Sequence, residues 1–388
     1  MYSLSPKNPR FYQKQFLLLA LIGISLLVAC KKEAEPESNV NQPTDGQILL
    51  GPYTAGDQSG RLQILDKYGN TIKEKLTAGI VMNFQKWNNN GTIRYTYLVE
   101  DKAAYHIKNF FGYIPGYQVI ADENINEIKR VYLHAFGNID TSVQNVLDAH
   151  DFIYLNDNHY ITMSYYEKRV NNIPQNLNPA ANLKVIAPII QEIENGQVIW
   201  QWDGTDYPEL YAESIENNNY ADTTTIRDYL HINAFVIDPN DNQLICSFRN
   251  ADLLLKLNRT TGAVIWHLGG KNSDFALTPD QKFLRQHHLS FIENGTRLMF
   301  LDNGDATLRP TSRIVEFKLN QSAKTIEDFS AFQVPAAFIQ FTGSVQKFGN
   351  SYFINGGTSK YLLEVNSLTG VKTFEKILDQ MTYRAFKY

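Results

Sequence analysis

Two cysteines, Cys30 and Cys246, are all that 388 residues contain, too few for a disulfide framework. Cys30 stands at the end of the N-terminal apolar segment, so the rest of the chain holds one thiol and no internal disulfide. Charge of one sign is also lacking: 36 Lys and Arg against 40 Asp and Glu give a net charge of -4, with no basic block, which argues against nucleic acid as a partner. No glycine-rich phosphate loop of the G-x-x-x-x-G-K-[ST] kind is present. Strong helical periodicity is absent as well, which turns the reading toward strands.

What the ends do contain is specific. Lys7, Arg10 and Lys14 precede an apolar run over 16–29 that ends Leu27-Val28-Ala29-Cys30. A basic start, a short apolar run and small residues before the cut describe a secretory signal, and the run is short for a membrane span. A cysteine placed directly at the cut is the lipobox pattern of bacterial lipoproteins. The expected organisation is a signal peptide over 1–29, a polar tether over 30–45 leaving a lipidated Cys30, and a folded body over 46–388. The expected location is the bacterial cell envelope, anchored to the outer membrane through lipid alone. Cys246, in the run Leu244-Ile245-Cys246, is expected to be a buried hydrophobe.

Repetition organises the body. Short runs rich in Tyr, Phe, Ile and Val are separated by turn residues, among them Asn88-Asn89-Asn90-Gly91, Asn156-Asp157-Asn158, Asn240-Asp241-Asn242, Glu293-Asn294-Gly295 and Gly349-Asn350. A second hairpin follows most of these, as over 190–200, 253–266, 314–329 and 362–374. Two hairpins per unit make a four-stranded antiparallel sheet, the blade of a β-propeller. Units near 47–77, 82–133, 150–203, 231–268, 287–330 and 342–378 predict an all-β, six-bladed β-propeller. The stretches 167–181 and 203–225 read as loops. How the ring closes is not legible.

Three histidines stand at one phase of this repeat. His150, His231 and His287 each lie four residues before an aromatic, Tyr154, Phe235 and Phe291. The equivalent positions elsewhere hold Asn83 and Thr342, so the scaffold does not require histidine. One histidine at a strand end is ordinarily a packed or hydrogen-bonded residue. Three in register on neighbouring blades converge on one mouth of the axial channel. His288 follows His287 and should point the other way along its strand. Arg249 ends the strand that returns beside His231, and a guanidinium suits an oxyanion. Asn233 shares a face with His231 and is a candidate hydrogen-bond donor, and Asn303 ends the corresponding strand of the next blade.

The series D-Y-L-H-I-N (228–233), S-F-R-N (247–250), T-T-G-A-V-I-W-H-L-G-G (260–270), Q-H (286–287) and D-N-G (302–304) resembles the bacterial arylsulfotransferase family. Some members carry an extra N-terminal β-domain, whereas only the tether is expected before this propeller. The resemblance implies a PAPS-independent enzyme on a six-bladed propeller, without cofactor, taking phenolic sulfates as donors and phenols as acceptors. It implies that His287, in the Q-H segment, carries the sulfuryl group as a sulfohistidine, with His288 one position away as the competing nucleophile. His231, Arg249 and the His150-Asp151 pair map onto the family's other active-site positions.

The expected mechanism is attack of His287 on sulfur, with the oxygens held by Arg249, His231, His150 and Asn233, and with Asn303 and His288 as substrate-binding candidates. Two other readings stand beside it. Three histidines also suit a catalytic zinc in a metal-dependent hydrolase, although Arg249 would repel the dication. A lipid-anchored propeller that only binds a partner at its mouth is the third, since propellers host many functions.

Overall fold

In the computed structural model, residues 46–104 and 112–388 are described. The expected signal segment, Cys30 and the tether lie outside the described residues.

The strands group as the repeats require. They are β1 (Ile48–Tyr53), β2 (Gly60–Leu65) and β3 (Thr71–Thr77); β4 (Val81–Asn89), β5 (Thr92–Glu100), β6 (Pro115–Ala121) and β7 (Glu127–Val131), with the two-residue β8 (Leu147–Asp148) added to β6; and β9 (Phe152–Asn156), β10 (His159–Val170), β11 (Leu183–Glu194) and β12 (Gln197–Asp203). The fourth blade is β13 (Ile232–Ile237), β14 (Leu244–Phe248), β15 (Leu253–Leu257) and β16 (Val264–Gly269). The fifth is β17 (His287–Ile292), β18 (Arg297–Asp302), β19 (Arg313–Asn320) and β20 (Thr325–Gln333), and the sixth is β21 (Ser344–Phe348), β22 (Ser351–Asn355), β23 (Tyr361–Asn366) and β24 (Lys372–Ile377). The last strand, β25 (Met381–Lys387), pairs with β1 and so fills the inner position of the first blade, giving the sheet order β25-β1-β2-β3. The protein is an all-β, six-bladed propeller of four-stranded antiparallel sheets, and the helices among the described residues are short 3-10 turns.

Local chemistry explains the hairpins. Asn90-Gly91 and Asn195-Gly196 both take positive φ (50° and 87°, 50° and 78°), the backbone of a two-residue hairpin turn whose twist matches its strands. Each blade then presents an apolar face to its neighbour. Ala234, Ile245, Leu254 and Trp266 of the fourth blade pack against Leu289, Phe291, Phe300 and Val315 of the fifth, all buried. Similar clusters fill the gaps around the ring, including the one between the sixth blade and the closing sheet, where Leu362 and Phe353 meet Leu50 and Ala385. Cys246 on β14 is a fully buried free thiol, pushed up in pKa chiefly by burial, as expected of a small hydrophobe. One expectation needs correction: β10 runs to Val170 and β11 starts at Leu183, so the first residues of the supposed loop 167–181 are strand.

Closure is more than a β1–β25 ladder. Arg384 on β25 reaches across the axis to Asp151, with Nη1 2.9 Å from Oδ1, and its Nη2 donates to the Asn233 carbonyl at 2.9 Å. The Asp151 Oδ2 also accepts from the Phe235 amide at 3.0 Å, and Oδ1 accepts from Asn83 Nδ2 at 3.4 Å. The Tyr383 hydroxyl lies within hydrogen-bond distance of the carbonyls of His150 and Asn233. One carboxylate thus ties the closing strand to three other blades.

Candidate active site

Segments that precede the inner strands, together with turns that follow the second strands, enclose a cavity of about 1030 Å³. His150, His231, Arg249 and His287 all line it. His150 and His231 precede β9 and β13, while His287 is the first residue of β17. Arg249 begins a short 3-10 turn directly after β14, and its amide donates to the His231 carbonyl at 2.9 Å, which fixes it beside that histidine.

Each imidazole is held by its Nδ1. The His287 Nδ1 is 2.8 Å from Asn303 Oδ1 and 3.0 Å from the Arg285 carbonyl. Asn303 is itself oriented, because its Nδ2 donates to the carbonyls of Ile339 and Thr342, both at 2.9 Å. Its Oδ1 must therefore face His287 and accept, so His287 carries its proton on Nδ1 and keeps the Nε2 lone pair for the cavity. The His231 Nδ1 donates to Asp228 Oδ2 at 2.7 Å, and the His150 Nδ1 contacts Asp148 Oδ1. The His150 and His231 rings meet edge to face with centroids 4.9 Å apart, and the Tyr165 ring lies 5.4 Å from both. Gly112, at φ 84°, lies so close that a Cβ there would come within 3.1 Å of His231 Cε1.

Burial sets the protonation. It pushes His287 well below the ordinary histidine value, and the nearby Arg249 guanidinium adds to the effect. His231 is also lowered, first by burial, with Asp228 opposing. Both rings are therefore neutral near pH 7, the form in which an imidazole keeps a free lone pair.

The remaining candidates lie behind the cavity wall. Asn233, expected as a donor to substrate, is fully buried and donates its Nδ2 to the Gln286 carbonyl at 2.7 Å. It supports the segment that carries His287 and is not part of the wall. His288 turns away. It takes φ 53° at a bulge between His287 and Leu289, accepts from the Val345 amide at 3.4 Å, and lies against Phe386, with ring centroids 5.8 Å apart. Asn303 sits one layer back, as the partner of His287. Asp151, the other half of the H-D pair, belongs to the closure.

Sequence reasoning missed the orienting carboxylates and a second arginine. Asp228 was visible inside D-Y-L-H-I-N but carried no signal of its own, and Asp148 lies two residues before His150. Arg285, immediately before Q-H, lines the cavity, as does Glu216 from the 203–225 segment. Among the described residues, no group of three or more His, Cys, Asp or Glu side chains is placed to hold a metal ion, so the zinc reading finds no ligand set in this part of the chain.

The pattern of the family described as Arylsulfotransferase (ASST) matches residues 87–385, most of the chain. The chain belongs to the arylsulfotransferase family. Membership makes it a sulfotransferase-type enzyme and makes phenolic compounds its broad substrate class. No curated protein matches it significantly. Among solved structures, a Bacteroides caccae protein of unknown function aligns at 11% identity over 89% of this chain and 99% of its own, with a TM-score of 0.43. The periplasmic gluconolactonase of Pseudomonas aeruginosa aligns at 12% identity over 87% of this chain and 84% of its own, with a TM-score of 0.45. Both likenesses are too loose to bear on the chemistry.

Proposed function

We propose that this arylsulfotransferase moves a sulfuryl group from a phenolic sulfate ester to a phenolic acceptor in two steps, through a sulfohistidine at His287 and without PAPS. The observation that carries the reading is the fixed tautomer of His287: Asn303 holds the Nδ1 proton, so Nε2 presents a lone pair to a cavity that also contains Arg249.

In the first step the Nε2 lone pair attacks sulfur in line and the S–O bond to the aryl group breaks. The Nδ1 proton stays on Asn303's side of the ring, so the positive charge of the sulfated imidazole balances its sulfonate. Arg249 faces the developing charge on the equatorial oxygens, as in phosphoryl transfer, where positioning and electrostatics dominate. His231 and His150, each backed by a carboxylate, are placed to protonate the departing phenolate. A sulfate ester brings its own negative charge into the cavity, which opposes the effect of burial on His231 when the acid is needed. In the second step the same histidines take the proton of the acceptor phenol, its oxygen attacks sulfur, and the N–S electrons return to His287 Nε2. Phe338 and Phe341 line the same cavity and offer aromatic faces to an aryl group, with Arg249 5.6 Å from the Phe341 ring centroid.

Brief exposure to p-nitrophenyl sulfate, followed by intact-protein and peptide mass spectrometry at alkaline pH, tests this. An added mass of about 80 Da on the peptide containing Gln286-His287, absent in His287→Asn, is expected. No adduct and no nitrophenol release from the folded protein would overturn it. For the N-terminus we propose export and lipidation at Cys30, with attachment to the outer membrane. Labelled palmitate should enter the wild type and not Cys30→Ser.

A further inference from the structure

A carboxylate from the chain itself occupies the space between two guanidinium groups in the cavity. Glu216 Oε2 lies 2.7 Å from Arg249 Nη1, and its Oε1 lies 2.9 Å from Arg285 Nη2. The side chain of Glu216 is 33% exposed, whereas those of the arginines are 13% and 12%. The movable member of the trio is therefore the carboxylate. Glu216 comes from the segment after β12, far in sequence from both arginines, so ring geometry and not local sequence puts it there.

Arg285 is the more constrained partner. Its backbone takes φ 55°, a conformation uncommon outside glycine, and its amide donates to Asp252 Oδ1 at 2.7 Å. Its guanidinium also approaches Asp252 at 3.4 Å and Asp305 at 3.3 Å. Two residues on, His287 donates its Nδ1 proton to the Arg285 carbonyl. The same strained residue thus braces the nucleophile with its main chain and faces the cavity with its side chain.

We propose that Arg285 is a second sulfuryl-contacting residue and that Glu216 is a built-in competitor, holding the anion seat between Arg249 and Arg285 until a sulfate displaces it. This rests on the sulfuryl-transfer reading for its substrate. The two oxygens of a carboxylate and two oxygens of a sulfuryl group are similarly spaced, and either pair can bridge two guanidinium groups. While Glu216 is seated, its one carboxylate pairs with both guanidinium groups, and Arg285 keeps Asp252 and Asp305 as further partners, so neither buried cation is unpaired. When sulfate enters, the carboxylate swings toward solvent, and no bond is made or broken. Only the fraction of molecules with the seat open binds directly, so apparent affinity is reduced by that fraction.

Isothermal titration calorimetry with inorganic sulfate as the probe tests this without requiring turnover, using the full chain. Glu216→Gln should tighten sulfate at least about fivefold and lower KM for p-nitrophenyl sulfate with kcat little changed. Glu167→Gln is the control for charge alone: Glu167 lines the same cavity but pairs with Lys184, at 2.5 Å. It should leave sulfate affinity unchanged. Arg285→Met should weaken sulfate at least about tenfold. Arg285→Lys, which keeps the charge but loses the fork, should fall between and stands in if Arg285→Met does not fold. Equal tightening by Glu216→Gln and Glu167→Gln, no tightening by Glu216→Gln, or no sulfate binding by wild type and Glu216→Gln alike would overturn the proposal. A protein that shows the expected sulfate pattern but forms no sulfohistidine would leave this seat standing and remove the transfer chemistry.

Discussion

His150 and His287 face the cavity, while the residues immediately after them, Asp151 and His288, face the interior of the ring. In each pair one backbone step separates chemistry from architecture. The cavity-facing members line the cavity and are oriented through Nδ1, His150 by Asp148 and His287 by Asn303 together with the Arg285 carbonyl. The inward members are consumed by closure: Asp151 by Arg384, Phe235 and Asn83, and His288 by the Val345 amide and the Phe386 ring. At the third blade the division falls in the segment just before β9, and the bulge at His288 performs the same division at the fifth blade. Identity of residue type therefore says little about role here.

The largest effect should separate the two histidines. His287→Asn is expected to lower kcat by roughly 10⁴-fold or more while leaving the melting temperature close to that of the wild type. His288→Asn should retain most of the activity and lose stability, because its partners are packing partners. Steady-state kinetics and thermal melts on both variants check this, and the reverse pattern would move the nucleophile by one position.

A smaller but still large effect is expected on the inward side. Asp151→Asn leaves the Arg384 guanidinium buried opposite a neutral group, which should cost about 3–5 kcal/mol in urea unfolding, since removing one partner of a buried pair strands the other. A protein starting at residue 46 should show the same loss.

The smallest effect concerns pH. His231, His287 and His288 all have histidine pKa values lowered from 6.5 by burial. The unfolded chain then binds more protons than the folded one below the ordinary value. Stability is fully present above pH 6.5 and is lost as pH falls from there toward the depressed folded values. Melting temperature should decline as the solution is acidified below about pH 6.5, and His288→Gln should make that decline shallower. An unchanged slope in the variant would mean that His288 is not protonated on unfolding in this range.

Much of the molecule was legible in the chain. Turn residues and alternating apolar runs located the six blades, except for the inner strand of the first, β25, because a hairpin depends on local backbone preferences. The phase of His150, His231 and His287 was legible for the same reason: a repeat maps sequence position onto radius. Arg249 beside His231 followed from strand return alone. The role of Asn233 was not legible, since two neighbours on a strand look alike until the next blade supplies a carbonyl, here that of Gln286. Arg285 was overlooked although it adjoins Q-H, because a charged residue before a strand is usually solvated. Glu216 could not have been found, as it sits in a segment without periodicity.

The sequence by itself determined the hairpins, the count of blades and the shared phase of His150, His231 and His287, all of which rest on interactions spanning a few residues or one repeat. Only the tertiary structure decided which strand closes the ring, which nitrogen of His287 is left for chemistry, and which carboxylate lies between the two arginines. These are contacts between groups far apart along the chain, as from β25 to Asp151 or from Glu216 to Arg285. Their energies exist only after closure has brought the blades around one axis and removed the groups from water.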